Sequence, residues 1–114
     1  MPTVYVRRVC LKDSLSDTEV AAYWTFIQQE FIPVALNVQG IRSVKLYSGA
    51  GGLRADMRAV FEMDDAGAYE RLLADLRMRP LIAKIYAAWD MRTASQTFLR
   101  EVTPELLRAL SGSA

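Results

Sequence analysis

Residues 40–63, Gly-Ile-Arg-Ser-Val-Lys-Leu-Tyr-Ser-Gly-Ala-Gly-Gly-Leu-Arg-Ala-Asp-Met-Arg-Ala-Val-Phe-Glu-Met, read as two strands joined by a glycine-rich turn. Gly49, Gly51 and Gly52 can take the positive φ values that a tight reversal demands. Past the turn the alternation is plain: Ala55, Met57, Ala59 and Phe61 point one way, Arg54, Asp56, Arg58 and Glu62 the other. Patterns of helical period flank this hairpin on both sides. The resulting order, strand–helix–strand–strand–helix–strand, predicts an α+β domain with a four-stranded antiparallel sheet. It constrains architecture more than activity, because many functions share such a frame and no catalytic motif is visible.

The remaining elements follow from local signals. Thr3 to Leu11, rich in β-branched and aromatic residues, reads as the first strand. Ser16-Asp-Thr-Glu19 spells a capping box, followed by Val20, Trp24, Ile27 and Phe31 at helical spacing. Pro33 removes a backbone donor and is expected to bend or break that helix. Val34, Ala35 and Val38 resume its face before Gly40 stops it. Phe26 and Ile32 fall off the stripe and are expected to meet solvent, a loop or a partner.

After the hairpin, Asp64 or Asp65 can cap a helix bearing Ala66, Tyr69, Leu72, Leu73 and Leu76. Pro80 suits the first turn of another short helix, with Leu81, Ile82, Ile85 and Trp89 as its apolar side. Ala94 to Val102 is the fourth strand. Thr103-Pro104 then opens a terminal helix carrying Leu106, Leu107 and Leu110, with residues 111–114 expected to fray.

Composition narrows the function classes. The 114 residues are expected to form one domain, 1–114, large enough to bury roughly two-thirds of the unfolded surface. Fourteen Lys and Arg against thirteen Asp and Glu give a net charge of +1, with no global pull toward nucleic acid or membrane. No apolar run approaches a membrane span and no leader is apparent, so a soluble, cytoplasmic protein is expected. Cys10, the single cysteine, excludes an internal disulfide; it reads as a small buried thiol or a reactive one. The absence of histidine removes histidine-ligated haem and any Ser–His or Cys–His nucleophile. No cofactor and no metal are expected. Any proton transfer must use carboxylates, tyrosines, lysines or the substrate itself.

Phe31-Ile-Pro33, Gly40-Ile-Arg42, the glycine turn, Asp65 through Leu73, and Arg79-Pro80 ahead of the last strand together resemble the dimeric α+β barrel superfamily. That group contains EthD-like, NIPSNAP-type and antibiotic-biosynthesis monooxygenase-type proteins. The resemblance implies a ferredoxin-like βαββαβ fold with extra short helices after helix two and at the C-terminus. It also implies a homodimer whose sheets pair face to face around an enclosed space. Histidines on which several members rely have no counterpart here.

The alternation supplies a candidate site. If Val44, Leu46, Ala55, Met57, Ala59 and Phe61 face the helices, the opposite face is expected to carry Tyr5, Arg7, Val9, Ile41, Ser43, Lys45, Tyr47, Arg54, Asp56, Arg58 and Val60. An apolar rim around charges fits a dimer interior with a polar pocket; a solvated face with scattered apolar residues is the plainer reading. In the pocket reading, Tyr5, Arg7, Lys45, Tyr47 and Arg58 bind a small organic ligand, anionic or phenolic. Asp56 or a tyrosine, Tyr47 among them, is then the candidate base, and Arg58 or Arg7 the stabiliser of developing negative charge. Cross-strand ion pairing of the same residues is the alternative. RNA recognition, with Tyr5 stacking a base, lacks a second aromatic platform and net basic charge, so no nucleic-acid partner is expected; a structural or regulatory oligomer, which needs no ligand, is the alternative function.

Overall fold

The computed structural model describes residues 2–49 and 52–112; Gly51 and residues 113–114 lie outside them. Four antiparallel strands, β1 (Thr3–Leu11), β2 (Ile41–Tyr47), β3 (Met57–Met63) and β4 (Trp89–Arg100), form one sheet in the order β2-β3-β1-β4. Helices cover one face. They are α1 (Asp17–Phe26), which runs through a π segment (Ile27–Phe31) into α2 (Ile32–Ala35), then α3 (Gly67–Ala74) and α4 (Met78–Ala88). A terminal helix, α5 (Pro104–Ser111), follows β4. This is the expected α+β, ferredoxin-like arrangement with its additional short helices. Among the described residues no helix is long and apolar enough to cross a membrane.

The local signals act largely as expected. Ser16 Oγ accepts from the Glu19 amide at 3.1 Å while Glu19 Oε1 accepts from the Ser16 amide at 2.9 Å, which satisfies two of the donors left free at a helix start. Gly40 stops the first helical stretch at φ +93°; a Cβ there would lie 2.7 Å from Arg71 Nη2. Gly52 takes φ +112° in the turn, but a non-glycine residue shares the strain, since Asp56 sits at φ +52°. That left-handed residue delays β3 to Met57 and takes residues 54–56 out of the strand. Arg54 instead reaches α1, donating to Leu15 O at 2.6 Å and pairing with Asp17 at 2.7 Å.

Pro33 does not break the helix. The chain widens to π geometry just upstream, with the Ile32 amide donating to Ile27 O, and Pro33 enters the first turn of α2 where its missing donor costs little. The wider turn also rotates the face. Phe26, expected on the surface, is 6% exposed under α4, with Lys84 Nζ 4.3 Å from its ring centroid. Ile32 is half-buried against the core.

Strand faces differ from expectation in two places. β1 pairs Tyr5 with Phe61, Arg7 with Ala59 and Val9 with Met57, so Tyr5, Arg7 and Val9 share the helix-covered face. In β2 the register shifts between Ile41 and Ser43. This irregularity sends Ile41 into the core opposite Met63, and leaves Ser43, Lys45 and Tyr47 on the open face. Trp89, expected on a helix, opens β4 opposite Leu11 and is buried.

Truncation at Phe26 separates the two placements. Phe26→Ala should cost about 3–5 kcal/mol in urea unfolding, the range for emptying a buried aromatic site. A loss below about 0.5 kcal/mol would put the ring at the surface.

Candidate functional site

Between the sheet and its helices lies a cavity of about 70 Å³. That is room for several waters or a small group, and its walls are almost wholly apolar. Tyr5 and Arg7 come from β1, Tyr23 from α1, Tyr69 from α3, Tyr86 from α4, and Trp89 from the start of β4. The helical contributions follow from spacing: Tyr23, Ile27 and Phe31 recur every four residues, as do Tyr69 and Leu73.

The aromatic wall is continuous. Tyr5 stacks on Phe61 at 5.6 Å between centroids and tilts against Tyr69 at 4.6 Å and Phe98 at 4.9 Å. The Tyr5 hydroxyl donates to Gln96 Oε1 at 3.0 Å, and the Tyr69 hydroxyl reaches the same oxygen at 3.5 Å. On the other side Trp89 Nε1 donates to the Tyr23 hydroxyl at 2.8 Å, and Tyr86 lies 5.2 Å from Trp89.

Arg7 is the one charged side chain in this wall. Its guanidinium carbon lies 5.9 Å from the Tyr5 ring centroid and 5.5 Å from that of Trp89. Among the described residues it has no carboxylate within ion-pair distance. No buried side-chain nitrogen or oxygen is left without a partner there, so the Arg7 donors open onto space that solvent reaches.

Burial dominates the electrostatics. It pushes the Tyr23 phenol up to about 12, against a smaller lowering by the Trp89 N–H, which favours the phenolate. Burial raises Tyr5 as well, reinforced by the Tyr69 hydroxyl and opposed by Arg7. Both phenols are therefore neutral donors near pH 7, and neither serves as a resting base.

The expected site residues divide between two faces. Tyr5 and Arg7 line the cavity; Arg58 borders only a smaller void that Arg7, Tyr23 and Trp89 also line, and Lys45, Tyr47 and Asp56 line neither. Asp56 pairs with Arg8 at 2.6 Å and with Arg58 at 3.6 Å. Lys45 approaches Glu62 at 3.5 Å, and Glu62 also accepts from the Ser43 hydroxyl at 2.8 Å. That hydroxyl first, then Lys45, holds the Glu62 carboxyl below its ordinary range. Tyr47 is exposed. Asp56 and Arg58 thus pair with each other and with Arg8, not with Arg7 or Lys45 as the ion-pair alternative had it. Tyr5 is only 4% exposed, so the ring that suggested base stacking is not presented to a nucleic acid. Sequence reasoning overlooked Tyr23 and Tyr86 and read Tyr69 and Trp89 as core. The available signal was a set of polar-tipped aromatics at helical spacing inside apolar stripes.

Burial of these phenols sets a pH limit. An unfolded tyrosine ionises near pH 10, whereas Tyr23 resists to about 12, so the unfolded chain binds fewer protons between these values. The stability this provides is fully present below pH 10 and is lost as pH rises toward 12. Absorbance titration at 295 nm should show a Tyr23 step near 12 that is absent in Tyr23→Phe. A wild-type titration completed by pH 11 would contradict it.

The sequence matches no protein-family model and no curated protein. Solved structures do match. SnoaB, a cofactor-independent oxygenase from Streptomyces nogalater, superposes with a TM-score of 0.67 at 14% identity, over 90% of this chain and 97% of its own. A dimeric ferredoxin-like protein of unknown function from Thermobifida fusca gives 0.69 at 13% identity, over 89% and 92%. A NIPSNAP family protein from Agrobacterium tumefaciens gives 0.67 at 11% identity, over 91% and 96%. At these identities the likeness is one of fold, and the chain has the ferredoxin-like α+β fold that antibiotic-biosynthesis monooxygenase-type, NIPSNAP-type and dimeric ferredoxin-like proteins share.

Proposed function

We propose that this protein binds a small planar organic anion, a carboxylate or phenolate, in the cavity between sheet and helices, and that it acts as a homodimer. The observation that carries this reading is Arg7. A guanidinium offers five donors in a fixed fork, and aromatic faces can attract its charge but accept few of its hydrogen bonds. A bound oxyanion would supply both acceptors and countercharge in a site of low dielectric. The flat rings of Tyr5, Tyr69, Tyr86 and Trp89 favour a flat partner. Tyr47 and Lys45 lie on the open sheet face, outside this cavity, and Asp56 pairs with Arg58 and Arg8.

Pairing through the open sheet face is the second part of the proposal. Val4, Val6 and Val60 are half-buried there amid the paired charges, and a related fold is described as dimeric. The native mass by light scattering should be twice 12.8 kDa.

Cofactor-independent oxygenation, the activity named for SnoaB, is a second reading. The described cavity lining holds no carboxylate, and burial keeps Tyr5 and Tyr23 neutral. A substrate transformed here must therefore arrive already ionised or give its proton to solvent beside Arg7, which stabilises the anion.

Acetate, a planar carboxylate small enough for the cavity, serves as the probe. Arg7→Gln should weaken its binding by about 10-fold or more in an NMR titration, the effect of losing one charged hydrogen-bonding partner. Lys45→Ala should change it less than about two-fold, since Lys45 lies on the open face beside Glu62. Equal affinity in Arg7→Gln and wild type would sink the anion reading.

A further inference from the structure

The hydroxyl groups around the cavity are not equivalent as donors. Tyr5 and Tyr69 both direct their protons to Gln96 Oε1, at 3.0 and 3.5 Å, so neither has one left for a ligand. Tyr86 is 36% exposed, and water can serve its hydroxyl. Tyr23 differs from all three. Its oxygen lies 2.8 Å from Trp89 Nε1, and an indole nitrogen can only donate. The Tyr23 oxygen must therefore accept, which turns its own proton away from the indole. Among the described residues no acceptor takes that proton.

The same indole also meets Arg7, whose guanidinium carbon lies 5.5 Å from its ring centroid. Arg7, Tyr23 and Trp89 together line both the main cavity and the smaller void beside it. One ring is thus flanked by two donors without acceptors, a charged one from β1 and a neutral one from α1. Burial keeps the Tyr23 phenol protonated at neutral pH, so its donor is present whenever a ligand arrives. A donor held out of water gains most from an acceptor that also carries charge.

We infer that Tyr23 is a second ligand-binding residue, which donates to the same oxyanion as Arg7 and selects carboxylates against groups that can only donate. The inference rests on the pocket reading above and gives the ligand a direction. Its anionic head lies at the Trp89 end of the cavity, and its apolar part points toward Tyr69 and Leu73. A cationic head at the same place would set donors against donors and charge against Arg7.

An acetate titration of isotope-labelled protein, followed by NMR at the indole N–H, tests it. A bound oxyanion polarises the Tyr23 O–H, which strengthens the bond its oxygen accepts from Trp89. The Trp89 indole proton, assigned by its survival in Trp24→Phe, should therefore move to higher frequency as acetate saturates. Tyr23→Phe removes a single hydroxyl and should weaken acetate about 10-fold, the effect of losing one hydrogen bond to a charged group. Methylammonium, of similar size but with donors only, should leave the indole proton in place. Acetate binding that Arg7→Gln weakens and Tyr23→Phe does not would overturn this inference alone. So would a wild-type indole proton unmoved at saturation, a measurement that needs no variant to fold. Wild-type protein that binds no acetate would strike the pocket reading, and this inference with it.

Discussion

The register between β1 and β3 decides what this molecule can do. Tyr5 opposite Phe61, with their rings stacked, places every odd residue of β1 under the helices. A strand has a side-chain period of two, so a slip of one residue would exchange its two faces completely. In the observed register Arg7 points into the cavity and Arg8 points out to meet Asp56. The alternative would put Arg8 among the aromatic rings and strand Tyr5 in water. Tyr5 also touches Tyr69 and Phe98, so this one position couples three elements around the site.

How much of this was legible depends on how unlike the two faces of each strand are. In β3 the contrast is large, because Met57, Ala59, Phe61 and Met63 alternate with Arg58, Val60 and Glu62. That hairpin strand fixed the element order and the helix-facing side correctly. In β1 the contrast nearly vanishes: Tyr5, Val9 and Leu11 compete with Val4, Val6 and Cys10, and each set contains one arginine. Alternation alone cannot orient such a strand. The choice is made by packing, since the large rings fill the volume under α3 whereas the valines lie against the shallower open face.

Irregular backbone hid the rest. The register shift at the start of β2 reverses Ile41 relative to Ser43, and no periodicity reports an inserted residue. The π segment before Pro33 does the same for the first helix, drawing Phe26 into a core that a 3.6-residue repeat leaves it outside. Trp89 was misplaced for a different reason. It follows Ile82 and Ile85 at helical spacing, but it ends α4 and begins β4, and its indole N–H is satisfied by Tyr23 across the cavity.

Arg7 is where these departures converge. A cation placed among rings loses hydration, and the ring quadrupoles return only about 0.5–2 kcal/mol for each good contact. Its sequence neighbour Arg8 finds a carboxylate at 2.6 Å, so the chain does pair arginines where geometry permits. At Arg7 geometry could have offered the same, because Gln96 lies directly opposite on β4 and a glutamate there would pair across the strands. The amide instead spends its oxygen on Tyr5 and Tyr69 and brings no charge. The lining therefore supplies Arg7 with no countercharge, which leaves its donors to solvent or to the anion proposed as ligand.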